Sequence, residues 1–255
     1  MKANEVINFL YRLNGFTLDN TQDVLKCGDP NKQVNKVAVT MFPTLKVIKQ
    51  AINWGADLLI VHEPLYFNHC DNHTDESVEN DKRAILEKSG MTVYRYHDYS
   101  HRILPDVICK GVLDKLDFNG TVDYPRFALS KITLDQPMTA VQLANYVKQK
   151  LNLNGVRVSG NLDFETCNLS FAPGCARDNY KQVEDCIFMV GETCEWEVLE
   201  YFRDAGELGY KKAILVLGHV GSERDGMLYT TDLLQKEFKN LTFKYLETEE
   251  SFITI

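Results

Sequence analysis

Three short segments of this chain place imidazoles and carboxylates where a metal ion or a proton-transfer site could be assembled. His62 and Glu63 follow the apolar run Leu58–Val61, His97, Asp98 and His101 follow Met91–Tyr96, and His219 and Glu223 follow Ala213–Leu217. Four of the six histidines fall in these three places. A lone histidine at a strand end is more often a hydrogen-bonded structural residue than a ligand, but three such endings in one protein are harder to dismiss. Imidazole nitrogen and carboxylate oxygen without thiolate suit zinc, iron, manganese or nickel. His219 and Glu223 are four apart and share a helix face if the helix begins near Ser222. The plainer alternative makes His219 a turn cap and Glu223 a first-turn carboxylate favoured by the helix dipole.

These residues need elements that deliver them together. Leu58–Val61 is apolar on both faces, as in a strand buried within a parallel sheet. It stops at His62-Glu63, and Pro64 ends the ladder. Parallel sheets present ligands just beyond the carboxyl ends of their strands. The pattern predicts a helix over 3–14, a strand over 34–41, a helix from Thr44 to Trp54 closed by Gly55, and a strand over 57–61. A charged helix over 77–89 and the strand Met91–Tyr96 follow. Beyond Asn119 the expected pieces are strands at Val122–Leu129 and Lys131–Leu134, a helix from Thr139 to Leu151, and strands at Val156–Ser159, Asn168–Phe171 and Cys186–Val190. A helix over 196–206, the strand Ala213–Leu217, a helix to about Phe238 and the strand Leu241–Leu246 complete the chain. The fold class is therefore α/β, with two lobes: residues 1–117 with 210–255, and residues 118–209.

At 255 residues, 44% hydrophobic and 25% charged, the composition is that of an ordinary globular protein. A net charge of −8 argues against broad phosphate neutralisation along a nucleic acid. No apolar run approaches the ~18 residues of a membrane span, and the first residues lack a signal-peptide pattern. Seven cysteines without a Cys-x-x-Cys pair are expected to be reduced, in a cytoplasmic protein. His69, Cys70 and His73 have a passable ligand spacing but lie in a polar loop. Cys175 and Cys194 lack an evident histidine base.

With these motifs in hand, the chain resembles the Nif-three-like dinuclear-metal proteins, often labelled GTP cyclohydrolase I type 2 homologue, in their short form without an inserted domain. Gly55–Phe67 is similar to the family's Gly-Ala-Asp strand and His-His-Pro motif. His97–His101 is similar to its His-x-x-x-Asp motif, and Gly218–Glu223 to its Gly-His-x-x-Ser-Glu motif. Val190-Gly191-Glu192 resembles its Thr-Gly-Glu/Asp segment, which lies near the site. The resemblance implies two α/β lobes with mixed sheets, two divalent ions (zinc, iron or manganese) in a cleft at strand carboxyl ends, and a homohexamer. Glu63 stands at the family's second histidine and His101 at its aspartate, so the ligand types are exchanged. The count of three histidines (His62, His101, His219) and two carboxylates (Glu63, Glu223) is kept. Where the family commonly has an aspartate after the first strand, Thr40-Met41-Phe42-Pro43 stands.

The resemblance implies a metal-dependent hydrolase. Two dications lower the pKa of bound water toward neutrality, and their surplus positive charge favours a small anionic substrate such as a phosphate ester or nucleotide. His97, Asp98 and Glu192 are then the residues expected to orient ligands or carry protons. The competing reading is a non-enzymatic hexameric metal-binding or adaptor protein.

Overall fold

The computed structural model describes residues 1–13, 15–124, 129–178, 180–253 and 255. The chain divides into two compact units, Met1–Ile103 with Met227–Glu249 and Leu104–Gly226 with Glu250–Ile255.

The first unit is built on a five-stranded sheet. Helix α1 (Ala3–Arg12) is followed by β1 (Leu25–Cys27), β2 (Lys36–Thr40), α2 (Leu45–Trp54), β3 (Leu58–Val61), α3 (Ser77–Ser89), β4 (Thr92–Arg95) and the short α4 (Asp98–Arg102). The sheet order is β1-β4-β3-β2-β11, in which β11 (Thr242–Leu246) returns from the end of the chain to lie parallel to β2. Strands β4, β3 and β2 are parallel, and β1 is antiparallel to β4. Thr44 caps α2 through its side chain, and Gly55 closes it in the left-handed region at φ 77°, which explains the abrupt turn into β3. All four residues of β3 are fully buried. Leu59 and Val61 pack with Val47, Ile48 and Ala51 of α2 and Leu86 of α3. Each such buried aliphatic side chain contributes roughly 1.5–3 kcal/mol.

The second unit holds α5 (Val107–Leu116), β5 (Gly120–Asp123), β6 (Ser130–Met138), α6 (Ala140–Lys150), β7 (Arg157–Gly160), β8 (Thr166–Cys175), β9 (Cys186–Glu192), α7 (Glu200–Glu207) and β10 (Lys212–Val216). A π-helical stretch, Glu195–Leu199, leads into α7. The sheet order is β5-β6-β8-β9-β10-β7, with β8, β9 and β10 parallel and the outer strands antiparallel. Alternate residues of β9 enter different cores. Ile187 and Met189 pack with Leu113 of α5 and Leu143 of α6. Phe188 and Val190 pack with Val198 and Phe202 on the other face. The last helix, α8 (His219–Glu237), starts in this unit and ends in the first.

Two lobes on mixed sheets agree with the fold class read from the sequence. The segments differ in membership. Helix α5 joins the second core and β10 pairs with β9 and β7, although the sequence grouped 1–117 with 210–255. An apolar pattern shows that an element is buried but not which sheet it joins. Strand β8 continues past the expected end at Phe171, through Pro173 and Gly174 to Cys175. A register irregularity between Ala172 and Cys175 accommodates both residues. Strand β1 and helix α4 are elements for which the sequence pattern gave no expectation. Within the expected strand Val122–Leu129, residues 125–128 lie outside the described residues. No helix among the described residues is long and apolar enough to cross a membrane.

Candidate functional site

In the first unit the carboxyl ends of β3 and β4 supply three imidazoles. His62, His97 and His101 each offer a ligand atom within 4.8 Å of the other two. His62 Nδ1 lies 3.0 Å from the carbonyl oxygen of Tyr96, so Nδ1 carries the proton and donates. The lone pair is thereby left on Nε2, which faces His101 Nε2 at 3.3 Å. A cation, or a proton on His101, must lie between two such nitrogens. His97 Nδ1 lies 2.9 Å from Asp98 Oδ1, which again leaves Nε2 for a ligand or proton. Burial pushes the His97 pKa down to about 4; His62 and His101 add to this, and the Asp98 hydrogen bond opposes it. His97 is therefore neutral near pH 7. Asp98 is held below the usual carboxylate range: burial raises its pKa, but the bonds from His97, the Gln22 N–H and Thr21 outweigh that.

Two residues the sequence reading did not single out hold this cluster in place. Asp23 is fully buried and accepts the backbone N–H groups of His97 at 2.8 Å, Asp98 at 2.6 Å and Tyr99 at 3.0 Å. It thus anchors the first turn of α4, which carries His101. Burial pushes its carboxyl up to about 6 in spite of those three donors. Asp23→Ala leaves the donors without their acceptor. It is expected to cost about 3 kcal/mol in urea unfolding, at ~1–3 kcal/mol for each orphaned group after partial rescue by water. An unchanged unfolding midpoint would rule out the anchoring role. The second residue, Arg95, is also fully buried. Its Nε donates to the His62 carbonyl at 3.1 Å and its Nη1 to the His69 carbonyl at 2.7 Å. Nη2 lies 3.8 Å from Glu63 Oε2, an ion-pair distance rather than a hydrogen bond. The legible signal was a cation inside the apolar run Met91–Tyr96.

In the second unit, β9 ends at Glu192 and β10 leads through Gly218 into α8. Because α8 begins at His219, His219 and Glu223 share a face without the later start considered from sequence. His219 Nδ1 lies 3.0 Å from Glu192 Oε1, and Nε2 lies 3.3 Å from Glu223 Oε2. With the Nδ1 proton given to Glu192, an Nε2 lone pair faces a carboxylate, a pairing that a shared cation relieves. Glycines keep this corner tight. A Cβ on Gly191 would lie 2.3 Å from Ser222 Oγ and 2.5 Å from the Gly174 carbonyl. Gly218 N–H donates to the Gly191 carbonyl at 2.8 Å. Gly174 has φ 62°, and its Cβ would lie 2.4 Å from Glu223 Oε1 and 3.4 Å from His219 Nε2. Gly174→Ala is therefore expected to weaken retention of divalent metal at least tenfold, with a stability loss of roughly 1–2 kcal/mol from backbone strain. Metal analysis after dialysis, with a thermal melt alongside, checks both numbers.

The other sequence candidates stay apart. His69, Cys70 and His73 enter no three-residue ligand group among the described residues. The His69 ring centroid lies 5.8 Å from that of His97, and the His73 ring packs on Tyr66. Burial pushes the Cys175 thiol up, with Glu192 adding and His219 opposing, so it is not an activated nucleophile. Among the described cysteines none forms a disulfide.

The sequence model described as Duf34/NIF3 (NGG1p interacting factor 3) matches residues 1–251. A Clostridium perfringens protein named GTP cyclohydrolase 1 type 2 homolog is 25% identical over 238 residues, covering 88% of this chain and 87% of its own. A Campylobacter jejuni protein of the same name is 25% identical over 257 residues, covering 97% and 96%. Among solved structures, a Bacillus cereus protein related to NIF3 matches with a TM-score of 0.77 at 17% identity. That match covers 100% of this chain and 99% of the other, and at this identity it speaks to the fold.

Proposed function

The chain belongs to the Duf34/NIF3 family, and from that premise we propose that it binds divalent metal and acts as a metal-dependent hydrolase on a small anionic substrate, a phosphate ester or nucleotide. One observation carries the reading: His62 is locked by Tyr96 so that its Nε2 lone pair meets His101 Nε2 at 3.3 Å. The donor set fits zinc, iron or manganese, since it offers neutral imidazoles and carboxylates and requires no thiolate. The residues expected from the sequence to be metal ligands, His62, Glu63, His101, His219 and Glu223, are the proposed ligands of two ions per chain. When bound, the metal supplies Lewis acidity and a water of lowered pKa.

The protein's own residues do the rest. Tyr96 and Glu192 fix the tautomers of His62 and His219. Asp98 orients His97, whose neutral ring takes and returns a proton at Nε2. Arg95 holds the His62 carbonyl and sets a positive charge beside Glu63. The homohexamer and a cytoplasmic setting belong to the same proposal. The names of the Clostridium and Campylobacter relatives support a nucleotide as substrate class.

The test is turnover of a panel of phosphate esters and nucleotides by metal-loaded protein, with Glu63→Ala as control. Activity above the control supports hydrolysis. Two bound ions with no turnover on any substrate would remove the hydrolase and leave the non-enzymatic metal-binding reading.

A further inference from the structure

Within the first unit a cavity of about 350 Å³ adjoins Glu63. Its walls include Phe42, Pro43, Pro64 and Phe67, and Lys82 lines it from α3. Lys82 is only 6% exposed. Among the described residues its ammonium makes one hydrogen bond, to the Leu65 carbonyl at 2.6 Å. The two carboxylates that act on it are engaged elsewhere: Asp71 pairs with Lys26 at 3.1 Å, and Glu79 accepts from the Thr74 N–H and hydroxyl at 2.6 and 2.8 Å. Buried cations are ordinarily met by an anion, because removing a charge from water is costly unless it is paired. The Lys82 ammonium instead sits 5.1 Å from the centroid of the Phe67 ring, which is itself 70% exposed. The cavity thus joins a buried cation, whose two nearby carboxylates bond to other groups, to an exposed aromatic face and apolar walls. Its volume lies in the range of small-molecule sites, roughly 300–1,000 Å³.

We propose that this cavity is the subsite for the organic part of the substrate, taking an aromatic heterocycle against Phe67 and its phosphate at Lys82 Nζ. A purine nucleoside monophosphate has this chemistry. The inference rests on the proposed function in one respect, that Glu63 on the cavity wall is a metal ligand and so brings the reacting end to the metal. The negative charge of Glu63 does not work against an anion there, because Arg95 stands 3.8 Å from it.

Calorimetric titration of the full chain, metal-loaded and chelator-treated, with adenosine and guanosine 5′-monophosphates, the two nucleosides and inorganic phosphate tests the assignment. The mononucleotides are expected to bind at least tenfold more tightly than either fragment. Lys82→Met keeps the side-chain stem and removes the buried charge. It should leave the melting temperature unchanged or higher while lowering mononucleotide affinity on the order of 10- to 100-fold. Phe67→Ser, on the surface, should weaken nucleoside and nucleotide alike by about threefold to tenfold. Affinities unmoved by both variants, or no binding in either metal state, would overturn the subsite. Lys82-dependent binding without hydrolysis would uphold the subsite and remove the hydrolase. Hydrolysis with KM unchanged in both variants would do the reverse.

Discussion

Replacing His62 by alanine is expected to strip the protein of most of its bound divalent metal. Wild-type protein purified without chelator should carry close to two ions per chain, and His62→Ala less than one, by elemental analysis after dialysis. Apparent zinc-site free energies of about 10–16 kcal/mol shared among four ligands correspond to roughly 3 kcal/mol per ligand, or about 100-fold in affinity. His62 is the ligand to test because its ring is the most firmly placed. It is fully buried, its Nδ1 is committed to Tyr96, and its peptide N–H donates to the Met41 carbonyl at 3.1 Å. The change leaves the Tyr96 carbonyl without one donor, a stability loss of about 1 kcal/mol. The metal loss is thus separable from unfolding. Retention of two ions in His62→Ala would refute the ligand assignment.

Arg95→Met should give the largest stability loss of any single change near the site, about 3–5 kcal/mol, read as a lower urea midpoint at unchanged slope. The methionine fills much of the stem volume, so the loss comes from the head group. Two backbone carbonyls, those of His62 and His69, lose charge-assisted bonds, and Glu63 loses the guanidinium 3.8 Å from it. Adding Glu63→Gln to Arg95→Met should recover part of the loss, because it removes the stranded charge. The two changes would then be non-additive in a double-mutant cycle. Strict additivity would mean that the 3.8 Å separation carries no coupling and that Arg95 serves only the two carbonyls.

What the sequence made legible is local. The runs that end at His62, His97 and His219 are strands, each delivering its histidine at a carboxyl end, and Gly55 closes α2. The His219–Glu223 pair was readable from its spacing. What was illegible depends on partners distant in the chain. Asp23 anchors residues 74 to 76 positions away, and nothing in Thr21-Gln22-Asp23 announces it. Helix α4 is five residues long, too short for a periodic signal, and its opening N–H groups donate to that distant carboxylate. His97, expected to orient ligands or carry protons, has one ring nitrogen within 4.8 Å of ligand atoms of His62 and His101, a proximity that its place in the sequence did not announce. Strand β8 was expected only to Phe171 because a parallel neighbour that tolerates an irregularity at Pro173-Gly174 cannot be inferred from one segment.

The two apolar faces of β9 bear on how the protein can vary. Strands that alternate apolar and polar residues resist sliding, since a one-residue slip turns the greasy face to water. Here Ile187 and Met189 serve one core and Phe188 and Val190 the other, so such a slip exchanges one set of aliphatic groups for another. Side-chain pattern therefore does little to fix the alignment of β9. The tight corner does it instead, through Gly191 against Gly174 and Ser222, and through the Gly218 bond to Gly191. Substitutions at this corner consequently threaten two properties at once, chemistry and correct assembly.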